Sequence, residues 1–295
     1  MRRPVVAALV PLWLSGAAAW SAPITFNTAL PVHEGGWVLR EIYLKLADDP
    51  TPARREMRVA GVVSVLGYGL TRDLALFGML PWFDKRLDMR AGAAEGRRDA
   101  RGFGDLGVVG RYTVLERNAP GRTFRVAPFV GVKAPSGRDD ARDRRGRLPP
   151  PLQPGSGTWD VLGGVVATWQ TLDVQLDAQA SYQANGEAHD FQAGDVARLD
   201  GSLQYRLWPR RLAGGVPAFL YGVLEANLVH AARDRIGGDR DPDSGGTTLF
   251  VSPGLQYVTR KWIAEAGVQI RVVQNLNGAA LGHDYGVSAG FRINF

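Results

Sequence analysis

The sequence predicts an all-β fold, a closed antiparallel transmembrane β-barrel of about twelve strands and of outer-membrane type, and three observations carry that reading. First, the chain ends in an unbroken alternation. Tyr285, Val287, Ala289, Phe291, Ile293 and Phe295 fall on one face, and Gly286, Ser288, Gly290, Arg292 and Asn294 on the other. A soluble strand is usually about 5–6 residues long, whereas a tilted strand needs roughly 9–11 to cross a bilayer. Second, Met1-Arg2-Arg3, the apolar run from Val5 to Leu14 and the small residues Ala17, Ala18 and Ala19 have the form of a secretory signal peptide over 1–19, with Ala22 as a later cut. The remainder, 20–295, reads as one barrel domain, because no linker divides it. Third, the connections between candidate strands alternate short and long, as periplasmic turns and extracellular loops do.

Taken in order, the strands fall near 35–46, 56–68, 73–84, 104–115, 123–134, 158–169, 173–183, 195–207, 217–229, 247–258, 262–272 and 284–295. The first and third alternate poorly. Pro81, Pro128 and Pro253 are awkward in a closed ladder, so bulges or kinks are expected in the third, fifth and tenth. The fourth opens on Gly102-x-Gly104, which is no nucleotide fingerprint, because no helix follows to present its N-terminus to phosphate. In the seventh, Val174, Leu176, Ala178, Ala180 and Tyr182 face lipid while Asp173, Gln175, Asp177, Gln179, Ser181 and Gln183 face the lumen. Arg198, Asp200, Ser202, Gln204 and Arg206 form the inward row of the eighth. Glu225 and Asn227 continue it in the ninth, Glu265, Gln269 and Arg271 in the eleventh, and Arg292 and Asn294 in the twelfth. Turning an Arg or Lys toward lipid at midplane costs about 2–4 kcal/mol, which directs these charges inward. Trp82, Trp159, Trp169, Tyr205, Trp208, Tyr257 and Trp262 lie near strand ends and suit interfacial girdles.

Short links occur at 70–73, 170–172 and 259–261, with longer ones at 116–122 and 209–216; long polar links span 85–103, 135–157, 184–194, 230–246 and 274–283. An even strand count then puts both termini in the periplasm and the long links outside. The terminal aromatic resembles the signal read by barrel-assembly machinery. Mean hydropathy of -0.12 does not argue against this, because lumen and lipid faces average out along each strand. The chain has no Cys, which excludes a disulfide scaffold and thiol chemistry. Despite a pI near 9.8, the basic residues are interspersed with acidic ones, so nucleic acid is not an expected partner; solvated loops facing anionic headgroups are.

Gly102-Phe-Gly-Asp-Leu-Gly-Val-Val-Gly-Arg-Tyr112, Pro128-Phe-Val-Gly-Val-Lys-Ala-Pro-Ser-Gly137, Pro154-Gly-Ser-Gly-Thr-Trp-Asp160 and Phe250-Val-Ser-Pro-Gly-Leu-Gln-Tyr257 recur together in a known order. This set resembles the outer-membrane family named for a MetA pathway of phenol degradation. The resemblance covers most of the mature chain and implies a barrel transporter, sometimes linked with aromatic catabolism, without catalytic residues. The Arg/Asp-rich stretch from Arg138 to Arg147 departs from the pattern.

The functional expectation is an outer-membrane channel for small, aromatic or hydrophobic molecules. Its lumen-lining and permeation residues are Arg111, Arg125, Lys133, Asp160, Asp177, Arg198, Asp200, Arg206, Glu225, Glu265, Arg271 and Arg292. Opposed charged rows either set up a field across a pore or lock together and plug it, and about twelve strands lies between the two regimes. Inward Phe129, Phe219, Tyr221 and Phe250 would furnish an apolar route or simply fill space. The alternatives are a plugged barrel acting through its loops and a barrel hydrolase. For the latter, His189-Asp190 and His283-Asp284 pair an imidazole with a carboxylate, and Ser244 is the nearest nucleophile by topology. His189, His230 and His283 lack metal-ligand spacing, and no cofactor is expected. Arg138 to Arg147 suit lipopolysaccharide phosphates, although Asp139, Asp140 and Asp143 favour a solvated loop.

Overall fold

The computed structural model describes residues 22–48, 55–89, 96–211 and 218–295. The expected signal peptide lies outside them. The strands are β1 (Trp37–Asp48), β2 (Arg55–Gly69), β3 (Leu74–Met89), β4 in three parts (Gly96–Phe103, Leu106–Tyr112, Leu115–Ala119), β5 (Arg122–Ala134) and β6 (Asp160–Thr171). They continue as β7 (Val174–Ala184), β8 (Val196–Trp208), β9 (Ala218–Ala231), β10 (Gly246–Thr259), β11 (Trp262–Leu276) and β12 (His283–Asn294). Because the three parts of β4 act as one stave, the 14 segments of the sheet make 12 staves. Each pairs antiparallel with its sequence neighbours, and β12 returns to β1 through Val38↔Asn294 to Asp48↔His283, which closes the barrel. Closure leaves no free edge, as a sheet in lipid requires.

The three prolines sit where the ladder breaks. Leu80 and Pro81 have no partner on β4, which is itself interrupted between Phe103 and Leu106. Ala127 and Pro128 face the second interruption of β4, between Tyr112 and Leu115. Ser252 and Pro253 are skipped on the β11 side. A residue without an N–H cannot hold a continuous ladder on both sides, so each proline coincides with a gap on one of them.

Outward positions are apolar along nearly every stave, and aromatic pairs brace the end that carries the short turns. Trp37 stacks near Tyr68 with ring centroids at 4.5 Å, and Trp262 bridges Tyr257 and Phe291 at 5.5 and 5.7 Å. Glu41 is an exception on β1; it turns outward and accepts a hydrogen bond from Ser64 Oγ at 2.8 Å. With Lys45 also turned outward and Arg40 buried inward, polar residues on both faces account for the poor alternation of the first strand.

Inside, the barrel has two unlike halves. The inner faces of β1 to β6 are largely apolar, with Val38, Ile42, Val63, Phe77, Met79, Val109, Phe129, Leu162 and Val166 in one buried cluster. The inner faces of β7 to β11 carry Gln175, Asp177, Gln179, Asp200, Gln204, Glu225, Asn227, Gln256 and Glu265, all buried. At the long-loop end the connections fold over the mouth. Arg142–Asp143 and Gly146–Arg147 form a hairpin, and four two-residue strands from two further loops form a small sheet. The Arg/Asp-rich stretch is thus ordered into the mouth: Ala141 and Leu148 join the apolar cluster, and Arg98 grips Asp143 with two bonds of 2.7 and 2.9 Å. Its tip, including Arg142, Arg144 and Arg145, is exposed, as are Arg138 and Asp140 at its base.

Candidate functional site

The lumen is occupied by a segment to which the sequence reading assigned no role. Residues 22–34 run into the short-turn half of the barrel, and Ala22, Ile24, Phe26, Asn27, Thr28, Ala29, Leu30 and Val32 are each at most 3% exposed. Glu34 bridges to Gly69 at the rim, after which the chain turns into β1. A segment outside any ladder leaves its backbone groups to be satisfied by side chains, and the barrel wall supplies them. Glu225 accepts from Ile24 N and Thr25 N, the latter at 3.0 Å, and from Thr25 Oγ1. Thr168 Oγ1 accepts from Ala29 N at 2.8 Å, and Gln179 Oε1 from Asn27 N at 3.3 Å. Arg111 donates to Asn27 Oδ1 at 3.1 Å and to the carbonyls of Thr28 and Leu30. Arg40 donates to Ile24 O at 2.9 Å, and Gln256 to Ala22 O. Thr28 Oγ1 donates to Asp177 Oδ1 at 3.1 Å. The apolar residues Ala29 and Val32 pack meanwhile into the apolar half of the wall.

This arrangement locates the charges singled out in the sequence. Arg111, Asp177 and Glu225 hold the segment directly. Glu265 holds it through Arg40, whose Nε lies 2.8 Å from Glu265 Oε1, and Arg292 lies 3.7 Å from the same carboxylate. Asp200 pairs with Arg198 at 3.0 Å and accepts from Asn227 and Gln179 at 2.9 and 3.2 Å. The others lie apart: Arg206 on Asp173, Arg125 on Glu116 at 2.6 Å, and Arg271 near Asp284 at 3.5 Å. Phe129, Tyr221 and Phe250 are buried inward as expected, in three separate clusters, with Phe219 packed beside Tyr221. The trace of the plug in the sequence is the stretch Ile24-Thr-Phe-Asn-Thr-Ala-Leu30, apolar enough to need burial yet without a hairpin partner.

Toward the long loops lies a cavity of about 220 Å³. Leu44, Leu46, Val59, Val63, Met79 and Phe83 form its wall, and the loop over 150–156 with Phe191 covers it. Asp105 fixes that loop by accepting from Gly137 N, Ser156 N and Ser156 Oγ at 2.9, 2.8 and 2.6 Å. Asp160 accepts from Thr158 Oγ1 and Gly186 N at 2.7 and 3.0 Å. Lys133 Nζ joins the two carboxylates, at 3.2 Å from Asp105 and in contact with Asp160. Gly137 and Gly155 cross here so closely that a Cβ on Gly155 would lie 2.5 Å from the Gly137 carbonyl carbon. Two of the glycine-rich motifs noted in the sequence therefore meet at this crossing.

The histidines do not converge. His189 Nε2 contacts Asp139 Oδ2 at 2.8 Å, His230 bonds Thr247 Oγ1 at 2.9 Å, and His283 lies against Phe250 with ring centroids at 6.4 Å. Ser244 is buried, its hydroxyl donating to Asp241 O at 2.9 Å and accepting from Asp234 N at 2.8 Å, so no imidazole activates it. Among the described residues no three His, Asp or Glu side chains form a metal-binding group.

Asp234 ties two outer loops together by accepting from Gly194 N at 2.8 Å, while its Oδ2 has no partner among the described residues. Burial pushes its carboxyl up to about 7, against the pull of the Gly194 N–H and with help from nearby Asp241. A raised acid pKa stabilises the docked loops fully below the unfolded value of about 3.9, and that contribution is lost as pH rises through about 7. Amide exchange at Gly194 and Asp241, corrected for intrinsic rates, is expected to be at least tenfold slower at pH 5 than at pH 8. Asp234→Asn should abolish the difference; a difference that persists in that variant would assign it to another group.

The sequence profile described as "Putative MetA-pathway of phenol degradation" matches residues 55–282. The chain belongs to that family. An outer-membrane channel from Pseudomonas putida F1 superposes with a TM-score of 0.70 at 14% identity, covering 90% of this chain and 98% of the channel. The β domain of the Bordetella autotransporter BrkA superposes with a TM-score of 0.52 at 13% identity, covering 89% and 100%. Both likenesses concern the fold: a closed antiparallel barrel of outer-membrane type. No curated protein matches the sequence.

Proposed function

We propose that this family member is a bacterial outer-membrane channel for small, apolar or aromatic molecules, with no catalytic activity of its own, and that residues 22–34 hold it closed. The observation that supports this best is the division of the lumen: an apolar surface leads from the outer cavity to a segment held by hydrogen bonds to polar side chains of both halves, Glu225 and Gln179 on one and Thr168, Arg111 and Arg40 on the other. Because water in an opened lumen competes for the same partners, each such hydrogen bond is worth a net of only about 0.5–1.5 kcal/mol, or about 1.5–3 to a charged group, so a segment outside the ladder and held this way suits a removable closure. Solute uptake into proteoliposomes, with a panel of aromatic and aliphatic compounds, tests the reading. Equal permeation of sugars and aromatic solutes would refute the apolar selectivity.

In this reading the long loops face the exterior, lipopolysaccharide lies beside the exposed arginines of the Arg138–Arg147 hairpin, and both termini of the mature chain face the periplasm. Trypsin added to intact cells should cut after Arg142, Arg144 or Arg145 and spare Arg72. The reverse pattern would invert the topology.

The barrel-assembly machinery is the proposed reader of the closing strand. Phe295 is 67% exposed, and its backbone N–H and C=O pair with Trp37 at 3.0 and 2.7 Å. An aspartate would preserve those backbone bonds, so a several-fold loss of outer-membrane protein in Phe295→Asp would reflect recognition of the side chain. Wild-type levels of heat-modifiable protein would count against it.

The plug also favours a second reading, a permanently closed barrel acting through its loops. It predicts that the intact protein passes no solute of the panel, even where excising the segment opens the barrel.

A further inference from the structure

The outer cavity contains one charge that the loop contacts do not use up. Lys85 lies on its wall, only 8% exposed, with Nζ donating to Pro151 O and Gln153 O at 3.2 and 2.6 Å. An ammonium has three N–H donors, so one is left over. Among the described residues no carboxylate comes within 4.0 Å of Lys85; Asp105 and Asp160 pair with Lys133 and with loop N–H and hydroxyl donors instead. The Phe83 ring lies beside it, with its centroid 5.2 Å from Nζ, and Asp105 and Lys133 line the same cavity farther off. Beyond the ammonium the cavity is walled by Leu44, Leu46, Val59, Val63 and Met79. A buried ammonium bonded only to neutral carbonyls gains most from an anionic acceptor, because charge-assisted hydrogen bonds are roughly twice as strong as neutral ones.

We propose that this cavity is a binding site for an amphipathic monocarboxylate, with the carboxylate on Lys85 and the apolar body along β1, β2 and β3. At about 220 Å³ it has room for a small molecule. The proposal rests on the channel reading and narrows its solute: the acid is captured from outside and stands above the plug, with the apolar half of the lumen below it.

The test is calorimetric titration of the full-length, maltoside-solubilised barrel with 4-phenylbutyrate and with neutral 4-phenylbutanol. The acid is expected to bind at least tenfold more tightly than the alcohol. In Lys85→Met that preference should vanish, with the affinity for the alcohol changed less than twofold. Equal binding of acid and alcohol to the wild type, or binding of neither, would overturn the proposal. So would an equal loss of both in Lys85→Met, which would mean that Lys85 merely pins Pro151 and Gln153. Val63→Phe, which fills the cavity and leaves those two bonds intact, covers the case in which Lys85→Met does not fold. It should lose both ligands while remaining heat-modifiable, and acid binding that survives there would place the site elsewhere and overturn the assignment. Conductance of the barrel lacking residues 24–32 separates the two readings, since a barrel that conducts after that excision while the full-length protein binds no acid refutes only this site.

Discussion

Excising residues 24–32 should raise single-channel conductance at least tenfold over the intact protein. In the closed form this segment brings Ile24, Phe26, Ala29, Leu30 and Val32 into the lumen at no more than 3% exposure. Removing it leaves Glu225, Asp177, Thr168 and Arg111 with open hydrogen-bonding capacity in a confined space, which water will fill. Twelve staves enclose more than the side-chain-filled interior of about eight strands, so a wetted lumen should conduct. The measurement is planar-bilayer recording on heat-modifiable protein. Conductance unchanged from the intact chain would mean that the wall's own side chains, not the segment, close the barrel. A milder version is Glu225→Gln. It weakens the acceptor of Ile24 N and both Thr25 donors, and brief openings are expected in place of a constant current.

Glu265→Leu should cost the barrel about 3–5 kcal/mol, the usual penalty for leaving a buried charge without its partner. Arg40 and Arg292 are both fully buried, and Glu265 is the carboxylate between them. Its other oxygen accepts from Gln256 Nε2 at 2.8 Å, so the same change also loosens the group that holds Ala22. Urea titration in detergent, followed by loss of heat-modifiable mobility, reads the effect as a lower midpoint. Arg40→Met combined with Glu265→Leu should recover part of the loss, because one of the two buried charges that Glu265 balanced is gone. A single variant within about 1 kcal/mol of wild type would show that water, and not the carboxylate, balances the arginines.

By itself, the sequence determined the number of staves and their faces, but not their full length. β3 runs on to Met89 and β4 opens at Gly96, pairing through most of the stretch 85–103 that reads as a polar loop, because a ladder of charged residues beyond the membrane has no apolar period. A side-chain period of two is a property of a few adjacent residues, so Val174 to Tyr182 and Tyr285 to Phe295 declare which face meets lipid without reference to anything distant. Hairpin pairing is local too, and the register therefore follows from short links such as Leu70–Asp73 and Thr259–Lys261, with the prolines marking where it breaks. Only the tertiary structure decided what fills the barrel. Ile24 and Glu225 are 201 residues apart, and Arg111 reaches back 83 to Thr28. Those partners meet because ring closure sets which staves face one another across the lumen, and no local period encodes that. The same holds for the charges. Their inward direction was legible from alternation, but whether Asp177 or Arg111 would face water or bond to a buried backbone depended on a segment with no strand pattern of its own. The lid is a third case. Gly137 and Gly155 are 18 positions apart, and the need for glycine at both arises only where the two backbones cross over the cavity.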